Sequence, residues 1–117
     1  KEALGESIAA LFTLAGAKTE LTGAYNGWNP DMESPILKAM TASYEALYGK
    51  KPAVTAIHAG LECGILCGKR PGMDMISVGP DMRDIHTPRE MLSVDSTRRT
   101  YELVCATLAA LTDTAKQ

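Results

Sequence analysis

Histidine is scarce in this chain: His58 and His86 are the only two among 117 residues. That scarcity bears on metal chemistry, because a hydrolytic zinc site takes three or more protein ligands and a general base. Two imidazoles and scattered surface acids do not make such a set. Cysteine does not fill the gap. There are three, an odd number with no secreted framework around them. Cys63 and Cys67 stand four apart, on one face of a helix, where small thiols are expected to pack that helix against a sheet.

Basic clusters are missing too. The net charge is −2 and the pI is near 5.6. Lys50-Lys51 and Arg98-Arg99 are too short to follow a phosphate backbone, so no nucleic-acid partner is expected. They read as a solvated helix end and a solvated helix face. No apolar run reaches the roughly 18 residues of a membrane span, and the opening residues are no signal peptide. No membrane partner is expected, and a cytoplasmic location is the default. P-loop, dinucleotide fingerprint and nucleophile motif are all lacking.

What remains is ordinary globular composition, 45% hydrophobic and 22% charged, at a length able to bury one core or to form part of a larger domain. Leu4, Ile8, Leu11, Phe12 and Ala15 recur at the spacing of a helix that buries one side, with Gly16 as its stop. Residues 18–25 read weakly as a strand, followed by an Asn26-Gly27 turn. Trp28-Asn29-Pro30-Asp31 is a polar junction and a candidate boundary between two units. Ser34-Pro35 is a capped helix start. The helix it opens should run to about Tyr48, burying Ile36, Leu37, Met40, Tyr44 and Leu47, and stop at Gly49.

Residues 53–58 and 73–78 read as buried strands on either side of a short helix from about Leu61 to Gly68. A loop follows from Asp81 to Glu90, then a short edge strand over 91–94. The last helix should be capped by Asp95 or Ser96 and bury Tyr101, Val104, Cys105, Leu108 and Leu111. This alternation of helix and strand argues for an α/β fold with strands at least partly parallel.

Chemistry could reside in two places. At Gly60 a strand end runs into a helix start, where free backbone N–H groups and the helix dipole suit a carboxylate or oxyanion. The plainer reading of Gly60 is a tight turn, and both stay open. The second place is the Asp81–Glu90 loop, where His86 stands two residues before Pro88. Neutral imidazole is the commonest protein ligand for zinc, although a lone loop histidine is more often solvated or hydrogen-bonded. Asp81, Asp84 and Glu90 read as turn formers and loop solvation. His58, at a strand end, reads as a buried, hydrogen-bonded imidazole.

Three ordered strings, IHAGLECG at 57–64, MDMISVGP at 73–80 and IHTPRE at 85–90, resemble the C-terminal signature of the aminoacyl-histidine (Xaa-His, or cytosolic non-specific) dipeptidases. These belong to the co-catalytic zinc peptidases that include carnosinase and glutamate carboxypeptidase. The AYNGWNP string at 24–30 fits as well. The resemblance implies that the chain is the C-terminal part of a phosphorylase/hydrolase-like zinc-peptidase domain. Residues 1–28 would be the last helix and strand of an inserted lid domain, and 29–117 the end of the catalytic domain.

It further implies that His86, in HTP where the family carries HSP, is a zinc ligand in a two-zinc enzyme, and that Gly60 lines the substrate pocket. The bridging Asp and general-base Glu would lie on the N-terminal half, so no residue here is expected to be catalytic and the chain alone should be inactive. The implied partners are a small peptide substrate, the remainder of the same polypeptide and, through apolar patches, further copies of the chain. A related tripeptidase or amidohydrolase could carry the same strings, and a non-catalytic binding or assembly domain is the reading from another class. A His-x-Asp pair and a later Glu-Glu upstream would separate enzyme from binding domain.

Overall fold

Ser34 and Pro35 act as their residue types predict. In the computed structural model, which describes residues 1–29, 31–57 and 60–114 (the last two as backbone), the Ser34 hydroxyl accepts from the Leu37 N–H at 3.1 Å. Pro35 opens helix α2 (Pro35–Tyr48), which closes at Gly49 in the left-handed region, φ 67°. Helix α1 spans Glu2–Leu14, α3 spans Glu62–Lys69 and α4 spans Val94–Thr114. The strands are β1 (Met82–Arg83) and β2 (Met91–Leu92), paired antiparallel with Met82 opposite Leu92 and Arg83 opposite Met91. His58, expected as a buried imidazole, lies outside the described residues.

The helices follow the sequence pattern closely and the strands do not. Residues 18–25, 53–57 and 73–78 form no ladder, and β1–β2 is the sheet among the described residues. The mixed helix and strand content of the α/β expectation stands, but its parallel pairing is absent among the described residues. The physical reason is that a strand is defined by a partner. A helix closes its hydrogen bonds within one segment, whereas a strand must find its ladder on another. Instead, residues 19–25 return along α1: the Thr13 and Thr19 hydroxyls are 3.3 Å apart, and Lys1 Nζ donates to the Tyr25 carbonyl at 3.1 Å.

Packing centres on α2 against α4. Leu103 is the one fully buried hydrophobic side chain among the described residues, at 5% exposure, and around it lie buried Ser43, Ser96 and Thr107. Tyr48 ties the pair together by donating its hydroxyl to the Arg99 carbonyl at 2.8 Å. The buried face of α4 is therefore turned by one residue, about 100°, from the apolar stripe that the sequence marks. Tyr101, Cys105 and Leu108 of that stripe are exposed, and Val104 and Leu111 are half-buried. Leu47 of α2 is exposed as well, as are Leu4, Ile8, Leu11 and Phe12 of α1. Val54, Ile57, Met73 and Val78, expected inside, are about half uncovered.

Ser93 caps α4, not Asp95 or Ser96: its hydroxyl accepts from the Ser96 N–H at 3.2 Å, the bond from cap to third helical residue. Ser96, one turn in, donates back to the Ser93 carbonyl and accepts from the Asp81 N–H at 2.8 Å, which fastens the hairpin to α4. The start of α2 is held from a distance in a similar way. The Asp74 carboxylate accepts from the Ser34 hydroxyl and, at 3.0 Å, from the Ile36 N–H. Those bonds, the Ser34 hydroxyl first, hold the Asp74 carboxyl below the ordinary aspartate range.

Asp74→Ala is expected to destabilise the protein by about 0.5–1 kcal/mol, the lower part of the capping range because the carboxylate is exposed. The folded pKa is depressed, so the contribution is complete above the unfolded aspartate pKa of about 3.9. It fades as pH falls through the lower folded value. Urea titrations at pH 7 and pH 2.5 check this; the gap between the wild-type and variant midpoints should be smaller at the second than at the first.

Candidate functional site

The loop between β1 and β2 is built from two successive turns. Thr87 N–H donates to the Asp84 carbonyl at 3.2 Å, and Glu90 N–H to the Thr87 carbonyl at 3.1 Å. Pro88 takes the second position of the second turn, where its fixed φ is favoured. The Thr87 hydroxyl donates to the Asp84 carbonyl at 2.7 Å and accepts from the Arg89 N–H at 3.2 Å. Both bonds need only a hydroxyl, so Thr serves as Ser would at this position.

His86 occupies the third position of the first turn with φ 64°, and Asp84 stands at φ 50°. These are the positive-φ non-glycine residues among the described residues. A left-handed non-glycine residue costs on the order of 1–3 kcal/mol and persists only where its surroundings hold it there. Here the His86 N–H donates to Glu90 Oε2 at 2.8 Å. The imidazole is exposed.

Gly60 stands just before α3, whose N-cap Leu61 makes no side-chain capping bond. It lines an open cleft of about 700 Å³ with Trp28, Met40, Tyr44, Ile57 and Ile76. A Cβ on Gly60 would fall on the Tyr25 ring, 2.8 Å from Cε2. Gly64, one turn further on, has the Asn26 carbonyl oxygen 2.6 Å from where its Cβ would stand, and Gly68 faces the Asn26 side chain. The glycines at 60, 64 and 68 thus form a smooth track on which residues 25–27 lie. Cys63 and Cys67 are free and half-buried on the same helix. The packing against a sheet expected of them is not seen, since the sheet among the described residues is the β1–β2 hairpin.

His86 is not among the residues lining the cleft, so the structure does not bring Gly60 and His86 into one pocket. Among the described residues no three or more His, Cys, Asp or Glu side chains converge as a metal-holding group. The donor chemistry still fits a shared site: one exposed imidazole on a fixed loop can supply a single ligand, with the others from elsewhere. Tyr25, Asn26, Asp74 and Glu90 all do work that the sequence reading missed. For Glu90 a signal was present, an acid four residues beyond the histidine across a Thr-Pro turn.

This architecture is similar to that of a segment of a solved dipeptidase. The crystal structure of aminoacylhistidine dipeptidase from Vibrio alginolyticus matches 93% of this chain with a TM-score of 0.72 at 38% identity, and the match takes up 22% of that chain. In sequence, the cytosol non-specific dipeptidase of Escherichia coli (strain K12) is 40% identical over 104 residues, which is 89% of this chain and 21% of that protein. No family model matches the chain. The resemblance carried by the three strings therefore holds in sequence and in fold. The chain spans about a fifth of the length of these relatives.

Gly64→Ala should push residues 25–27 off α3 and destabilise by about 1–3 kcal/mol, the usual range for overpacking. Gly79→Ala, with nothing within 4 Å of its Cβ position, is the control. Denaturant unfolding followed by Trp28 fluorescence distinguishes them, and equal midpoints for the two variants would contradict the track.

Proposed function

We propose that this chain is the C-terminal portion of a zinc-dependent dipeptidase with broad specificity, acting on dipeptides such as Xaa-His. The reading rests on one observation above others: the likeness to two dipeptidases over about nine-tenths of the chain, at 38–40% identity. Residues 1–28 form the end of a lid domain, and 29–117 the closing part of the catalytic domain. The return of residues 19–25 along α1, separate from the α2–α4 pair, supports that boundary.

His86 is a ligand to one of two zinc ions and would hold it through a ring nitrogen. Bound zinc supplies Lewis acidity, lowering the pKa of a coordinated water and polarising the scissile carbonyl. Residues of this chain do the positioning: the Thr87-Pro88 turn sets the loop that bears the imidazole. Gly60 leaves the uncapped start of α3 open beside the Tyr25 hydroxyl, a pair of features suited to a substrate carboxylate. The general base and the other ligands belong to the rest of the polypeptide, so the 117-residue chain alone is inactive. The cytosolic location in the name of the Escherichia coli relative supports the same compartment here.

The uncovered surface supports the remainder of the polypeptide as the principal partner. The chain exposes 9679 Å², whereas a compact monomer of its 12.5 kDa mass exposes about 6,200 Å². Its radius of gyration is 19.3 Å, against about 13 Å for a compact domain of 100 residues.

In the full-length protein, His86→Ala should lose at least one metal equivalent and most dipeptidase activity. Elemental analysis reads the first and turnover the second; a full metal complement in the variant would sink the ligand assignment. The 117-residue chain with added zinc should hydrolyse no dipeptide, and turnover that survives purification would overturn the claim of an incomplete site.

A further inference from the structure

We propose that Glu90 is the positioning residue for His86, a role that rests on the ligand reading above. The sequence suggests only loop solvation for this carboxylate, and the geometry says otherwise. Glu90 Oε2 accepts from the backbone N–H of His86 at 2.8 Å. The residue it grips is one of the two among the described residues that hold a left-handed backbone without being glycine. Where the third position of a turn has positive φ, it normally goes to Gly or Asn. Histidine enters the left-handed region more readily than most side chains, yet a non-glycine residue there is still strained and persists where its surroundings hold it.

Two contacts fix this loop from opposite ends. The Thr87 hydroxyl bridges Asp84 and Arg89, and the Glu90 carboxylate reaches back across Pro88 to His86. Glu90 is itself anchored, since its N–H donates to the Thr87 carbonyl and Met91, the next residue, pairs with Arg83 in the ladder. The direction in which the imidazole leaves the backbone is set by φ and ψ at His86, and the N–H bond constrains that φ. Glu90 therefore acts on the aim of the ring without touching it. Partners that bond a ligating side chain directly change metal affinity about 10–100-fold when removed; a partner that acts through the backbone belongs at the lower end of that scale.

The test uses the full-length protein and three variants, Glu90→Ala, Glu90→Gln and His86→Ala. It measures zinc stoichiometry, zinc affinity by chelator competition, and Tm of the metal-free protein. Glu90→Ala should keep the metal stoichiometry at saturating zinc and weaken affinity by about tenfold, the lower end of the range for outer partners, with the metal-free Tm within a few degrees of wild type. Glu90→Gln retains a carbonyl oxygen that can accept from the His86 N–H, so its affinity should recover to within about threefold of wild type. A wild-type affinity in Glu90→Ala, beside a lost metal in His86→Ala, would overturn the role of Glu90 and leave the ligand reading intact. A full metal complement in His86→Ala would remove both. Equal losses in Glu90→Ala and Glu90→Gln, or a large fall in metal-free Tm, would overturn positioning by showing a need for charge or for structure alone.

Discussion

An incomplete core governs this structure. With Leu103 as its fully buried hydrophobic side chain among the described residues, the α2–α4 pair cannot draw its cohesion from hydrophobic burial in the usual proportion. Serine and threonine are the buried polar residues of this pair, and the threonine hydroxyls are satisfied within α4: Thr100 donates to the Ser96 carbonyl and Thr107 to the Leu103 carbonyl. Such bonds let polar side chains enter a helix interface without the penalty of an unpaired group. The larger apolar surfaces face outward, on α1, on the Tyr101 side of α4, and along residues 53–57 and 73–78. The same condition explains the missing ladders, since strands and apolar helix faces both depend on neighbours elsewhere.

Against that open background, the best-defined parts are held by short polar networks. Ser34 and Asp74 secure the start of α2, Ser93 and Ser96 join the hairpin to α4, and Thr87 with Glu90 shapes the loop at 84–90. The first two join segments distant in sequence, and the third fixes the backbone of a single loop. A hairpin built in this way presents a side chain from a defined backbone even when no core lies beneath it. Such a loop suits the role proposed for His86, an outward-facing ligand to a site completed by other polypeptide.

The glycine track on α3 serves a different end. Gly60, Gly64 and Gly68 let the chain before the junction lie against the chain after it, bringing Tyr25 and Asn26 to the rim of the cleft. Residues read from sequence as two units are thereby joined at the point where the substrate carboxylate is proposed to sit. At Gly60 the missing Cβ admits the Tyr25 ring, and that contact is what the structure shows glycine to be needed for.

Local chemistry in the sequence determined the helices, the Ser34-Pro35 start, the Gly49 stop and the turn at Thr87-Pro88. Each depends on neighbours within a few residues. The strings at 57–64, 73–80 and 85–90 also carried the likeness to dipeptidases. Tertiary structure alone decided which face of α4 is buried, that Asp74 caps a helix 40 residues before it, and that Tyr25 lies over Gly60. Those outcomes turn on contacts between distant segments, which periodicity and residue type do not encode. The strands failed for the same reason: a segment can advertise its preference for a sheet, but only a second segment can accept its hydrogen bonds.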